Sequence, residues 1–177
     1  MRDAAILGLF GAARGDGNTF RLARAVFDEL DGAHLASLAD YRIAPYNYDE
    51  TYENDDFLAL AEAMTRARAI VFASPVYWYS MSAPMKVFFD RLTDLTGTKK
   101  PLGKSLAGKT AFLIASGGAA AAPAAFEPPF ADTARYFNMT WGGMLYAQGG
   151  AVDHRAAAEF AARINHAAAG KFAEAPA

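Results

Sequence analysis

Two short loops carry most of the residue types that could do chemistry. The first, Gly11-Ala-Ala-Arg-Gly-Asp-Gly-Asn-Thr19, lies between an apolar segment and an amphipathic one. Its glycines allow the backbone to approach an anion closely. Arg14 supplies a positive charge, and Asn18 and Thr19 supply side-chain hydrogen-bond donors. A helix that follows would add free N–H groups and the positive end of its dipole, so this loop is predicted to bind phosphate.

The same loop has an alternative interpretation as a glycine-rich turn in which Asn18 caps the next helix. Its spacing matches neither G-x-G-x-x-G nor G-x-x-x-x-G-K-[ST], so it predicts neither a dinucleotide fingerprint nor a nucleotide P-loop. The stretch Gly103–Thr110 does match the second pattern letter by letter. It precedes an apolar strand instead of opening a helix, however, so nucleotide binding there is not predicted. Lys104 and Lys109 are expected to be solvated in this connection.

The second loop is aromatic and follows the apolar run Ala69–Ala73, which is predicted to be a buried strand. Ser74 ends the run, and the loop continues as Pro75, Val76, Tyr77, Trp78 and Tyr79. Open α/β sheets bind their ligands at the carboxyl ends of strands, and aromatic side chains there suit a flat ligand. Three adjacent aromatics cannot all face the core, so at least one should face a cavity, a subunit interface or solvent.

Apolar runs and helical patterns alternate along the chain, which is typical of a parallel sheet with crossover helices. The predicted strands are Ala4–Phe10, His34–Leu38, Ala69–Ala73, Thr110–Ala115 and Thr140–Ala147. The predicted helices are Phe20–Leu30, one capped by Asp55 or Asp56, one from about Ser82, one to about Asn138, and one from Asp153 to about Ala169. Thr93–Lys109 is predicted to be a polar connection, and the fourth strand leads into Ser116, Gly117 and Gly118.

Together the two loops resemble those of the flavodoxin-like NAD(P)H-dependent FMN reductases and quinone reductases. That family has a Gly-Ser-x-Arg-x-x-Gly-Asn-Thr type of phosphate loop and a Ser-Pro-x-Tyr segment followed by Lys-x-x-x-Asp-Arg. The matching residues of the second motif are Ser74, Pro75, Tyr77, Lys86, Asp90 and Arg91. The first motif departs at Ala12, where a serine is common, which removes one hydroxyl contact to phosphate. On their helix, Lys86, Asp90 and Arg91 are expected to be structural.

The resemblance implies an α/β fold: a flavodoxin-like three-layer α/β/α sandwich, with a five-stranded parallel sheet in the order 2-1-3-4-5. It covers roughly residues 4 to 150. The 177 residues suit one domain, with a tail at 170–177 that is expected to fray.

The resemblance also implies an FMN-dependent oxidoreductase with no catalytic side chain. NAD(P)H would reduce the flavin, leave, and be replaced by a quinone, an azo compound or a free flavin in a ping-pong scheme. The implied FMN-binding residues are Gly11, Ala12, Arg14, Asn18, Thr19, Pro75, Val76, Tyr77, Trp78, Tyr79, Ser116, Gly117 and Gly118. A homodimer or tetramer is implied as well. Two alternatives stay open, an electron carrier that does not use NAD(P)H directly and a flavin-free binding module.

Composition narrows the function classes. The formal net charge is −2, so nothing indicates nucleic acid or an anionic membrane as a partner, and no apolar run is long enough to span a bilayer. The chain has no cysteine, which excludes disulfides and a cysteine-held iron–sulfur cluster. The three histidines share no spacing with carboxylates that would suggest a metal site. A cytoplasmic location is expected.

Overall fold

The computed structural model describes residues 4–49 and 51–170 and shows one five-stranded parallel sheet in the order β2-β1-β3-β4-β5. The strands are β1 Ile6–Phe10, β2 Ala33–Ser37, β3 Ala69–Pro75, β4 Thr110–Gly117 and β5 Thr140–Gln148. This confirms the strand order expected from the resemblance. The expected frayed tail beyond Gly170 lies outside the described residues.

Helices cover both faces of the sheet and complete three layers. They are α1 Asn18–Phe27, α2 Phe57–Arg66, α3 Ala83–Arg91, α4 Lys100–Lys104, α5 Pro128–Tyr136 and α6 His154–Ala169. One apolar cluster joins the sheet to α1 and α6, and a second joins its other face to α2, α3 and α5. No helix in the described ranges is long and apolar enough to cross a membrane.

The strands alternate between the two clusters because successive side chains of a strand point to opposite faces. In β1, for example, Leu7 and Leu9 pack toward α2 and α3, whereas Ile6 and Phe10 pack toward α1 and α6. Strand β3 is buried along its whole length, as the continuous apolar run predicts. The three central strands therefore form a rigid platform, and the loops at their carboxyl ends are held at fixed positions.

The predicted connection Thr93–Lys109 is more structured than its polar composition indicates. It overlaps a 3₁₀ turn at Leu92–Leu95 and contains α4. Pro101 lies in the first turn of α4, where its missing N–H removes no helix bond. Leu95 and Leu106 are buried and anchor the segment to the core. The polar sequence pattern therefore did not predict α4, which is stabilised by the burial of neighbouring residues in the core.

The expectation that Lys109 is solvated is wrong. Its side chain is buried, and its Nζ donates to the backbone oxygens of Thr65, at 2.7 Å, and Ala67, at 2.5 Å, at the end of α2. A cation there complements the negative end of the helix dipole. Burial nevertheless lowers the pKa of Lys109, because it disfavours the charged form. Lys109, which a P-loop would direct at phosphate, therefore binds the carboxyl end of α2 instead.

Arg91 of the second motif is a buried structural residue. Its guanidinium donates to Asp55 at 2.7 Å and to Asp94 at 3.0 Å, and it stacks on the ring of Tyr52 at 3.4 Å. It also donates to the backbone oxygen of Ala44 and so ties the irregular segment after β2 to α3. The exposed pair Lys86 and Asp90, 2.6 Å apart, is a local i,i+4 contact, as expected.

The charge on Asp55 is stabilised within this cluster. Burial by itself would raise the pKa of Asp55. The hydrogen bond from Arg91, the N–H groups of Ala44 and Phe57 and the positive charge of Arg91 together outweigh it, so that the pKa lies below its ordinary value. An ionised Asp55 therefore stabilises the folded state above about pH 4, the pKa of an unfolded aspartate, and this contribution is lost as the pH falls through the folded-state pKa.

Replacing Asp55 with Ala should lower the free energy of unfolding by about 3–5 kcal/mol near neutral pH, because it leaves a buried guanidinium partly unpaired. Asp90→Ala, which breaks an exposed pair on α3, should cost at most about 1 kcal/mol. The difference between wild type and Asp55→Ala should shrink below about pH 4. Urea unfolding of the three proteins across pH measures both effects, and equal losses in the two variants would contradict the assignment of Arg91.

Candidate functional site

The loops that follow β1, β3 and β4 meet at the carboxyl edge of the sheet and enclose a cleft of about 280 Å³. The cleft is lined by Phe10, Ala12, Arg14, Gly17, Asn18, Thr19, Phe20, Pro75, Val76, Tyr77, Ser116, Gly117, Gly118 and Gly149. The structure thus brings together all the predicted site residues except Gly11, Trp78 and Tyr79. Phe10, Gly17, Phe20 and Gly149 join them without having been predicted.

One end of the cleft is rich in unpaired donors. Helix α1 starts there, and the N–H groups of Asn18, Thr19 and Phe20 donate to no acceptor among the described residues. Arg14 is exposed, forms no ion pair or hydrogen bond with the described residues, and is the only charged side chain among those lining the cleft. A cation beside free helix N-terminal amides is a favourable environment for an anion.

Asn18 is not the cap of α1, contrary to the alternative interpretation of this loop. Gly17 occupies the N-cap position, and no side chain caps the helix. A Cβ on Gly17 would meet only the Arg14 guanidinium, at 4.0 Å. The backbone amides at the start of α1 are therefore left open toward the cleft.

Buried hydroxyl groups hold the loops together. Thr19 Oγ1 and Ser116 Oγ share a hydrogen bond of 2.7 Å between the start of α1 and the end of β4. Ser82 Oγ donates to the backbone oxygen of Gly11 at 2.6 Å, and the Ser82 N–H donates to Ser74 Oγ at 3.0 Å. Gly11 therefore lies behind the cleft, where a Cβ would come within 3.0 Å of Met85. The bonds fix where the first loop sits relative to the other two.

Sequence reasoning missed a contact that orients Asn18. Arg21 lies one helical turn further along α1, and its Nη2 donates to Asn18 Oδ1 at 2.6 Å. Gly150 packs over the pair, since a Cβ there would lie 3.0 Å from Asn18 Oδ1 and 3.1 Å from Arg21 Nη2. With its oxygen occupied, Asn18 has its amide N–H₂ left to serve as a donor. The i,i+3 spacing of the two residues was the available signal.

Trp78 and Tyr79 border a second, shallower cleft of about 230 Å³. It shares Val76, Gly117 and Gly118 with the first and is lined in addition by Trp78, Tyr79, Ala119, Pro123 and Tyr146. These lining residues include no Asp, Glu, Lys, Arg or His. Trp78 is 93% exposed and Tyr79 70% exposed, so both rings stand in solvent at the rim. The two clefts are therefore adjacent parts of one site.

The two rings are presented by a tight turn with unfavourable backbone geometry. Tyr77 and Ser80 exchange backbone hydrogen bonds of 2.9 and 3.0 Å, which leaves Trp78 and Tyr79 as the two central residues. Their φ angles are +49° and +67°. Positive φ at both positions is the signature of a type I′ turn, in which Asn and Gly are preferred and bulky residues are strained.

Comparison with known proteins agrees with this geometry. The sequence profile of the NADPH-dependent FMN reductase family matches residues 4–141, which span every strand-end loop described above except the one after β5. The chain belongs to this family.

A curated relative from Bacillus subtilis strain 168, YwqN, is named as a candidate NAD(P)H-dependent FMN-containing oxidoreductase. It is 30% identical to this FMN reductase family member over 116 residues, which are 61% of this chain and 64% of YwqN. The match thus spans less than two thirds of the relative's length.

Solved structures share the flavodoxin-like fold. The Trp repressor binding protein from Bacillus subtilis superposes with a TM-score of 0.70 at 24% identity, over 90% of this chain and 99% of that one. An NADH:FMN oxidoreductase in its apo form superposes with a TM-score of 0.66 at 18% identity, over 93% and 88% of the two chains. At these sequence identities, the similarity shows only that the fold is shared.

The strain in this family member's aromatic turn is measurable. Replacing Trp78 and Tyr79 together with Asn and Gly should raise the free energy of unfolding by about 1 kcal/mol or more. Each bulky residue held at positive φ costs on the order of 1–3 kcal/mol, partly offset by the greater chain entropy of Gly.

The control is Trp78→Phe with Tyr79→Phe, which keeps two bulky rings at the same φ angles and should leave the stability near that of wild type. Equilibrium urea unfolding of the three proteins is the measurement. A loss of stability in the Asn-Gly variant would show that the rings contribute more packing than their exposure indicates.

Proposed function

We propose that this protein is an FMN-dependent NAD(P)H oxidoreductase that transfers reducing equivalents to a small-molecule acceptor by a ping-pong scheme. One observation carries the proposal: an arginine and helix N-terminal amides that pair with no described residue lie at one end of a cleft whose other end is walled by aromatic and apolar residues. This arrangement suits a ligand with a phosphate at one end and a flat ring at the other. Membership of the FMN reductase family supports it.

The donor set fits the phosphate of FMN. Arg14 would pair with the phosphate, while the N–H groups of residues 18–20 and the Asn18 amide would donate to its oxygens. Ala12 offers no hydroxyl, so Arg14 carries more of the binding than it would beside a serine. Charge-assisted hydrogen bonds of this type are about twice as strong as neutral ones. The compact end of the cleft favours the single phosphate of FMN over the extended diphosphate of FAD.

The remaining residues would bind the ring system. Pro75, Val76 and Tyr77 would form one wall, and Ser116–Gly118 would contact the polar edge of the ring. FMN, when bound, supplies the hydride chemistry. The described residues that line the two clefts include no carboxylate, histidine or lysine, so the chain's own part is to bind, orient and exclude water.

The second cleft would admit NAD(P)H and the acceptor in turn. Its lining is apolar and aromatic, with the indole N–H of Trp78 and the hydroxyl groups of Tyr79 and Tyr146 as polar side-chain groups. A flat acceptor such as a quinone, an azo compound or a flavin ring suits this surface. The exposed indole of Trp78 would stack on such an acceptor.

We further propose a homodimer, or a tetramer built from it, in the cytoplasm. Trp78 at the site and Tyr136 on α5 are large, exposed aromatic residues of the kind that subunit contacts cover. Sedimentation velocity with and without FMN tests this assembly, and a monomer under both conditions would contradict it.

The central test begins with the visible spectrum of the purified protein and identification of its extracted cofactor. FMN should be recovered, and its absorbance should bleach when NADPH or NADH is added without oxygen. Recovery of FAD alone would refute the cofactor assignment. Bound FMN that neither nucleotide bleaches would indicate an electron carrier, and failure to take up FMN would indicate a flavin-free binding module.

Replacing Arg14 with Ala should weaken FMN binding about ten- to hundred-fold, which corresponds to loss of a charge-assisted contact of about 1.5–3 kcal/mol. Riboflavin, which lacks the phosphate, should bind wild type and variant equally. The matched control is Arg24→Ala on α1, which pairs with Asp28 instead of lining the cleft. Flavin fluorescence titration measures all the affinities, and an unchanged FMN affinity in the Arg14 variant would remove Arg14 from the site.

Replacing Trp78 with Ala should raise kcat/KM for bulky quinones relative to small ones while FMN stays bound, because the indole narrows the second cleft. Stacking lost with small flat acceptors is worth about 0.5–1.5 kcal/mol. Tyr48→Ala is the control, because Tyr48 is an exposed aromatic residue that lines neither cleft. An unchanged ratio of the two kcat/KM values would place Trp78 outside the acceptor site.

A further inference from the structure

The segment that follows β4 is clamped by the end of β5. Three consecutive backbone oxygens accept hydrogen bonds from successive parts of that strand and its turn. Tyr146 Oη donates to the oxygen of Ala119 at 2.7 Å, and Gln148 Nε2 donates to that of Gly118 at 3.1 Å. The Gly149 N–H donates to the oxygen of Gly117 at 2.7 Å. The Gly117 carbonyl therefore points at the backbone of β5, and the carbonyls of Gly118 and Ala119 point at side chains that β5 carries.

This clamp determines where the neighbouring N–H groups point. In a planar trans peptide the C=O of one residue and the N–H of the next point in opposite directions. The N–H groups of residues 118, 119 and 120 must then point away from the three donors that these carbonyl groups meet. For Gly118, whose peptide carbonyl meets the β5 backbone, that direction is the side of β3 and its aromatic loop, because β4 lies between β3 and β5. The two clefts meet there.

These three donors are free to bind a ligand. The N–H groups of Gly118, Ala119 and Ala120 donate to no acceptor among the described residues, and all three residues are exposed. A Cβ on Gly118 would meet nothing within 4 Å, so the space in front of this peptide is open. Successive backbone N–H groups that converge in this way attract anions and electron-rich oxygens.

The clamp itself is anchored in two ways. Tyr146 packs against the apolar cluster on the side of α2, α3 and α5, which fixes the position of its hydroxyl. A Cβ on Gly117 would lie 2.8 Å from that hydroxyl, so the close approach depends on glycine at this position. Gly149 has a φ of +57°, which turns the chain so that its N–H reaches Gly117.

We propose that Tyr146 and Gln148 are positioning residues for the proposed oxidoreductase, which hold the N–H groups of residues 118–120 toward the electron-rich edge of the bound flavin. This inference rests on the proposed function. A reduced flavin carries more negative charge than an oxidised one, so donors fixed at its edge bind the reduced form more tightly. Tyr146 and Gln148 would thereby raise the reduction potential of the bound cofactor without touching it.

The experiment uses the full-length chain loaded with FMN and the variant Tyr146→Phe, which removes the hydroxyl and keeps the ring. Gln148→Leu is a second variant, and Tyr136→Phe on α5 is the control. The affinity for oxidised FMN and the reduction potential of bound FMN are measured, which together give the affinity for reduced FMN. Riboflavin affinity is measured in parallel.

Tyr146→Phe should weaken reduced FMN about ten-fold more than oxidised FMN, a potential more negative by about 30 mV for a two-electron couple. The ratio of FMN to riboflavin affinity should not change, because the phosphate end is untouched. Gln148→Leu should shift the potential in the same direction.

Equal weakening of both redox states would indicate a merely structural role and overturn the inference, as would an unchanged potential in both variants or an equal shift in Tyr136→Phe. Wild-type protein that binds no FMN would instead refute the proposed function, and the inference with it.

Discussion

The site depends on a small number of buried hydroxyl hydrogen bonds between loops that are distant in sequence. Thr19 and Ser116 are 97 residues apart and share one such bond. Ser82 links α3 to the backbone of Gly11 across 71 residues. Each hydroxyl is buried, so breaking its bond would leave a polar group without water or a partner, which costs about 1–3 kcal/mol. These bonds hold the segments that follow β1, β3 and β4 together, so that they form one cleft.

The two motif arginines show how the chain separates stability from binding. Arg91 is buried, with Asp55 and Asp94 as ion-pair partners and an aromatic ring against its face. Arg14 is exposed beside the cleft and pairs with no described residue. A satisfied cation holds the fold together, whereas an unsatisfied one at a helix start is available to an external anion. The turn at Trp78 and Tyr79 also lowers stability at the site, because it holds two bulky residues at positive φ with their rings in solvent.

Much of the fold and of the cleft could be predicted from the sequence because the signals are local. Continuous apolar runs identified β1, β3 and β4, and glycine and aromatic loops identified the residues that follow them. The short helix α4 was missed because burial of Leu95 and Leu106 stabilises it against a polar pattern. The burial of Lys109 depends on where α2 ends in space, which no local pattern records. The positive φ angles of Trp78 and Tyr79 contradict the preference of type I′ turns for Asn and Gly.

The clamp formed by Tyr146 and Gln148 was equally beyond sequence reasoning, because it depends on the register of β5 against β4 and on a bulge between them. The parallel pairing of β5 with β4 brings the end of β5 beside residues 117–119. Resemblance to a family could predict which loops form the site, but the direction of individual peptide groups is visible only in the structure.

The central claim is that FMN lies in the cleft formed by the strand-end loops, with its phosphate at the start of α1. Amide hydrogen exchange with and without saturating FMN tests this directly. We expect slower exchange at residues 18–20, at the loop 76–80 and at residues 118–120, with little change in 95–104, the segment that includes α4. Protection confined to residues 95–110, or spread evenly over the chain, would contradict it.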